Sequence, residues 1–154
     1  MSNSNAQGQT QGQAWSRISV PVSGTASEAL SLELAAQMAT AFQAQLNVLF
    51  TPPDPAELAP WLGEGFMGTV QMATMDSLKA AAEESELAAR AQFAAIDCPG
   101  KTFTALNSPV WQDLALETRL SDLMVFSDVS AKGQGMLSEA FQQVLMEERT
   151  GVFI

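Results

Sequence analysis

Arg17 to Gly24 reads RISVPVSG, a short β-branched run that closes on Ser-Gly and is followed at once by a helix start. That is the pattern of the first buried strand of an α/β domain. In such a fold the ligand crevice lies beyond the carboxyl end of this strand, so the residues from Pro21 to Thr25 decide whether a nucleotide can be held there. The segment keeps the shape of such a site and lacks its polar groups.

The rest of the chain alternates helix and strand. Thr25-Ala26-Ser27-Glu28 has capping-box spacing, in which the threonine hydroxyl and the glutamate carboxylate satisfy the first free amides of a helix. The helix runs to about Ala44, with Leu30, Leu34, Met38 and Phe42 recurring every four residues as its inner stripe. Leu32, Ala35 and Ala39 widen that stripe, and Glu33, Gln37 and Gln43 face outward. Leu46 to Phe50 is a second strand, stopped by Thr51-Pro52-Pro53-Asp54-Pro55 because proline cannot donate to a ladder. Thr69 to about Ile96 forms one long helix with Val70, Met75, Leu78, Ala82, Ala89, Phe93 and Ile96 inward, and with Glu83-Glu84-Ser85-Glu86 as a solvated face.

Thr102 to Leu106 alternates as a strand that is polar on one side, which suits a sheet edge. Asn107-Ser108-Pro109 starts a helix over Val110 to Arg119, with Pro109 at a first-turn position. Leu123 to Phe126 is continuously apolar and belongs in the sheet centre. Ser127 to Gln134 forms a loop with Gly133 and Gly135 in and beside it. Met136 to Glu148 is a last helix with Leu137, Phe141, Val144 and Leu145 inward, and Gly151 to Ile154 is a fifth strand. Five strands alternating with four helices predict an α/β fold, a three-layer α/β/α sandwich around a mostly parallel sheet with right-handed crossovers. Such a doubly wound chain brings the first and last helices to the crevice between strands one and four, where a phosphate would meet helix N-termini.

Two segments stand apart. Residues 1–14, MSNSNAQGQTQGQA, carry no charge and only isolated apolar side chains, so they form a disordered polar tail ahead of a domain spanning 15–154. Trp15 ends the tail by packing on an edge of the fold. Pro55 to Gly68 holds Trp61, Leu62, Phe66 and Met67 and is too apolar for a free loop. It forms either a lid packed on the domain or a partner-binding or ligand-gating surface.

Composition excludes whole classes of chemistry. The chain has no histidine and a single cysteine, Cys98, so serine-histidine and cysteine-histidine nucleophile pairs and ordinary zinc sites are out of reach. The expectation is a protein that is not an enzyme and holds no metal. Cys98 has no base to activate it and is an idle thiol. Seven basic against seventeen acidic side chains give a formal charge of −10, which repels phosphate backbones and anionic membranes and argues against a nucleic-acid or membrane partner. The longest apolar runs fall far short of the roughly 20 residues that span a bilayer, and the N-terminus is polar, which points to a cytoplasmic protein.

Over Arg17 to Ile154 the sequence resembles the universal stress protein family. The resemblance is carried by the ISVPVSG opening, the SEALSLELAAQMATAFQAQLNVLF helix-strand unit, the long second helix, LSDLMVF before the loop, and the last helix running into GVFI. PDPAELAPWLGEGFMG before the long helix resembles the first half of tandem, two-domain members. The family implies a sheet in the order 3-2-1-4-5, the adenine nucleotide alpha hydrolase-like arrangement, and dimers that pair through the last strand. Some members bind ATP and others do not.

Nucleotide-binding members end strand one with an aspartate and follow strand four with G-x2-G-x9-G-S/T. Here Ser23 takes the aspartate position. Counting forward from Phe126, the two glycines fall on Ser127 and near Ser130; counting back from Gly151, the G-S/T pair falls on Ser138-Glu139, with the loop about two residues short. Gly133 and Gly135 lie in that loop at other spacings. The candidate site is therefore a degenerate nucleotide crevice made of Val22, Ser23, Ser127, Ser130, Gly133, Gly135 and Ser138, expected to hold no cofactor. The expected role is a stress-response or regulatory interaction module. It is a homodimer through Gly151, Val152, Phe153 and Ile154, or pairs with a second stress-protein domain. Two alternatives remain: an ATP-binding module or weak ATPase in which the same loop supplies amides and hydroxyls, and an electron-transfer flavoprotein-like domain.

Overall fold

β1 (Arg17–Val22) is the middle of a five-stranded sheet in the order β3-β2-β1-β4-β5, and each of its four ladders is parallel. The computed structural model describes residues 15–53, 69–147 and 150–154. The expected tail over 1–14, the apolar segment Pro55 to Gly68, and the inward side chains of Val70 and Met75 lie outside the described residues.

β1 is followed by a 3-10 turn (Ala26–Glu28) and α1 (Ala29–Phe42), then β2 (Gln45–Phe50). α1 stops at Gln43, whose left-handed backbone (φ +56°) ends the helix two residues before β2 and slightly ahead of Ala44. α2 (Thr69–Ala95) leads to β3 (Lys101–Ala105), which forms one edge as its alternation predicts. Lys101 closes the end of α2 by donating to the Phe93 and Ile96 carbonyls at 2.9 and 2.5 Å. α3 (Val110–Arg119), β4 (Leu123–Val125), the short α4 (Asp128–Ala131), α5 (Ser138–Glu147) and β5 (Gly151–Phe153) complete the chain. Pro109 is the N-cap of α3 rather than part of its first turn.

The strict alternation of side chains in β1 and β2 makes two cores. Ile18, Val20, Val22, Leu46, Val48 and Phe50 face α1 and α2, while Leu49, Met124 and Phe126 face α3 and α5. The three-layer sandwich follows from those two packed faces. Trp15 packs edge-on against Phe42, with ring centroids 4.7 Å apart, and so pins the start of the domain as expected.

Two helix faces differ from the expected ones. In α1 the buried residues are Ser31, Leu32, Ala35, Ala36 and Ala39, whereas Leu30 is 78% exposed and Phe42 is 47% exposed. The inner stripe runs 28, 32, 35, 39, because the small alanine side chains let the helix lie close on β1 and β2, and that turns Leu30 to solvent. Leu137 just ahead of α5 and Phe141 and Val144 within it are buried, but Leu145 is 54% exposed, one residue off the core stripe.

The N-terminus of β1 is tied to the start of β4 by Asp122. Its Oδ2 accepts the Ser16 amide and hydroxyl at 2.8 Å each and the Arg17 amide at 2.9 Å. The Ser16 hydroxyl, then the Arg17 and Ser16 amides, hold this carboxyl below its ordinary value of 3.8. Since the folded state binds that proton less readily than the unfolded chain, the contribution is present above pH 3.8 and is lost as the pH falls through the lowered value. Asp122→Asn should therefore lower the unfolding midpoint at neutral pH, and thermal melts should show the gap to wild type narrowing below pH 3.8. A gap that stays constant through the acid range would show that the carboxylate charge plays no part.

Candidate functional site

β1 and β2 pair along their whole length to Val22↔Phe50, but the ladder between β1 and β4 consists of Ile18↔Leu123 and Ser19↔Met124. The ladder between the two central strands ends at Ser19↔Met124, and the crevice expected at the topological switch point would lie beyond it, past their carboxyl ends. Val22 and Ser23 stand on one side of it, both buried. Ser127 and Ser130 follow β4 on the other, buried as well.

The strand-one side is filled by a residue that the crevice assignment left out. Glu28 is 3% exposed, and its carboxylate turns back over the end of β1. Oε2 accepts the Ser23 amide at 2.8 Å, the Gly24 amide at 3.1 Å and the Thr25 amide at 3.2 Å, and Oε1 accepts the Ser23 hydroxyl at 2.5 Å. The TASE spacing pointed to one of these four bonds, the one from Thr25. The other three require the chain to fold back so that successive amides converge on Oε2 and the Ser23 hydroxyl reaches Oε1, a backbone concavity of the kind that binds anions. Gly24 makes that turn with φ +85°. α2 lies directly on it: a Cβ at Gly24 would sit 2.2 Å from the Ser85 carbonyl oxygen, and Gln92 donates to the Thr25 carbonyl at 3.1 Å. Within the acidic run of α2, Glu83 and Glu84 are exposed as expected and Glu86 pairs with Arg90 at 2.7 Å on the surface, while the half-buried Ser85 lays its backbone against the turn.

The strand-four side differs from the expected loop. Ser127 caps a short helix, Asp128–Ala131, because a serine followed by an aspartate is a helix-start signal. The Ser127 and Ser130 hydroxyls lie 3.0 Å apart and bond to one another, so the structure brings this pair of candidate residues together. The amides of Ala131, Lys132, Gly133 and Gln134 donate to the carbonyls of Ser127, Asp128, Ser130 and Val129. The Ser130 amide donates to the Ser127 hydroxyl at 3.4 Å. Gly133 and Gly135 are exposed turn residues with φ +74° and +78°, and Ser138, half-buried at the start of α5, donates to the Gly135 carbonyl at 3.0 Å. Lys132 pairs with Asp128 at 2.8 Å, and that bond together with its positive charge holds the Asp128 carboxyl below the ordinary range. No hydrogen bond among the described residues joins Ser23 to the Ser127–Ser138 group.

A groove of about 730 Å³ lies elsewhere, between α1 and α2, lined by residues that include Leu32, Glu33, Gln37, Gln92, Ile96 and Asp97. None of the crevice residues lines it. Among the described residues no cluster of three or more histidine, cysteine, aspartate or glutamate side chains could hold a metal.

Against solved structures, the chain aligns with the universal stress protein UspA from Lactobacillus plantarum over 92% of its own length and 98% of that chain, with a TM-score of 0.60 and 19% identity. This chain has the universal stress protein fold. A universal stress protein solved in complex with cAMP matches over 92% and 96% of the two chains, with a TM-score of 0.52 and 18% identity. A member of the family from Burkholderia pseudomallei matches over the same shares, with a TM-score of 0.51 and 16% identity. No protein-family model matches the sequence, and no curated protein matches it. The likeness to universal stress proteins is thus one of fold, carried by sheet order and packing rather than by sequence identity. Among the described residues no helix is long and apolar enough to cross a membrane.

Proposed function

We propose that this chain is a universal stress protein-like, non-enzymatic interaction module of a stress response or of regulation, whose nucleotide crevice is degenerate. The observation that carries the reading is the state of the segment after β4. A phosphate-binding turn works by presenting bare amides to the anion. Here the amides of residues 130–134 already donate within the segment, and so does that of Ser138, while the Ser127 and Ser130 hydroxyls engage one another. Glu139 at the start of α5 adds negative charge where a phosphate would approach, and no histidine is present to serve as acid or base.

The second reading is an adenine-nucleotide module, with ATP as its ligand, and it rests on the relative of the same fold solved with cAMP. Isothermal titration of the purified chain with ATP and magnesium separates the two. The expected result is no binding tighter than roughly 1 mM, which corresponds to about −4 kcal/mol. A micromolar dissociation constant would overturn the degenerate-site reading and favour the second. As an interaction module the chain pairs through the open edge of β5, formed by Gly151, Val152 and Phe153 with Ile154 after it, either with a second copy or with a second stress-protein domain.

A further inference from the structure

We propose that the Ser23-Gly24-Thr25 turn is an oxyanion-binding site whose resident ligand is the chain's own Glu28 carboxylate. The inference rests on the degenerate-crevice reading and names what fills the crevice on its strand-one side. Three consecutive main-chain amides and one hydroxyl converge on the two oxygens of a single carboxylate, at distances from 2.5 to 3.2 Å. The carboxylate's donors are three peptide amides and a hydroxyl, and no ion pair to Glu28 occurs among the described residues. The N-terminus of the 14-residue α1, which follows Glu28 directly, adds its own dipole. Both Glu28 and Ser23 are all but inaccessible, at 3% and 2% exposure, so water does not replace these bonds.

Beside the turn the Thr51 amide donates to the Val22 carbonyl at 2.8 Å. The Thr51 hydroxyl is buried without a hydrogen-bond partner among the described residues. The polar groups at this end of the sheet are thus not all matched by internal bonds among the described residues.

A tethered carboxylate has two consequences. It is present at an effective concentration no free anion reaches, because its side chain springs from the first turn of the helix that the turn feeds. It also repels any external phosphate or carboxylate, which would have to sit within a few ångströms of a like charge. Removing the carboxylate while keeping the turn should convert the site from self-filled to open, and the class of ligand it then takes is a small oxyanion.

The test titrates inorganic phosphate at neutral pH into isotopically labelled wild type, Glu28→Ala and Glu28→Gln, following the Ser23, Gly24 and Thr25 amide resonances. In Glu28→Ala those three amides should shift saturably, with an apparent affinity at least about tenfold above any wild-type response. The unfolding midpoint of that variant alone should rise with phosphate. Glu28→Gln retains an acceptor in place and should respond less than the alanine variant. Glu33→Ala, at an exposed position on α1, should behave as wild type. If Glu28→Ala does not fold in its absence, phosphate should restore the fold, and failure to do so counts against the proposal. Saturation of the wild-type turn by phosphate would overturn it, as would a folded Glu28→Ala whose three amides do not respond. ATP binding by the wild type with these amides unshifted would instead overturn the degenerate-crevice reading and leave this inference standing.

Discussion

Gly24→Ala is expected to lower the unfolding midpoint by on the order of 10 °C, the equivalent of roughly 3 to 4 kcal/mol for a domain of this size. Two effects add. A backbone at φ +85° costs a side-chain-bearing residue about 1 kcal/mol or more. The larger effect is steric. The added Cβ would stand 2.2 Å from the Ser85 carbonyl oxygen and 3.0 Å from its carbonyl carbon, and these are main-chain atoms of a long helix that cannot swing aside as a side-chain tip can. Relief needs α2 to move off the turn, which disturbs the Gln92 bond to Thr25 and the contacts of Ala89 and Phe93 with the core. Gly133→Ala isolates the backbone effect, since Gly133 has a similar φ of +74° and open space where its Cβ would go. Its midpoint should fall by only about 3 °C. Differential scanning calorimetry on both variants gives the comparison, and equal losses would mean that α2 is not seated on the turn.

The same glycine shows how much of the site could be read in advance. RISVPVSG followed by T-x-x-E placed a buried strand, a turn and a helix start correctly, because each depends on residues within a few positions of one another. The role of Glu28 was legible only in part: spacing gives its bond to the Thr25 amide, but the bonds to Ser23 and Gly24 depend on a fold-back that Gly24 and the weight of α2 impose. α4 starts at Ser127-Asp128, a capping signal that the loop reading of Ser127 to Gln134 does not use, and Gly133 and Gly135 lie just beyond its four residues. The α1 stripe is centred differently for another reason. Periodicity favours the bulkier residues, of which Leu30 and Phe42 are exposed and Met38 still packs on the core, whereas the sheet takes the widening set, Leu32, Ala35 and Ala39, as its closest contacts. That preference is a property of the partner surface and not of the helix.

The edge of the sheet carries the other large expected effect. β5 is hydrogen-bonded to β4 on one side, and no strand among the described residues covers the other. Phe153 and Ile154 are 41% and 56% exposed there, and Val152 is half-buried. A short apolar edge without charge or proline between Gly151 and Ile154 is a template for a further strand, and two copies meeting antiparallel across a two-fold axis would present the same patch to each other. Burying one exposed phenylalanine contributes roughly 1.5 kcal/mol or more, and the two-fold axis doubles it. Phe153→Lys should then weaken self-association by at least about 100-fold, since every 1.4 kcal/mol is a factor of ten, and it also brings two like charges together at the axis. The fold itself should persist, because Phe153 contributes little to the buried core, so an unchanged unfolding transition at low concentration accompanies the expected shift from dimer to monomer in light scattering. A wild-type chain that stays monomeric at high micromolar concentration would refute pairing between copies, and would leave a second stress-protein domain as the partner this edge fits.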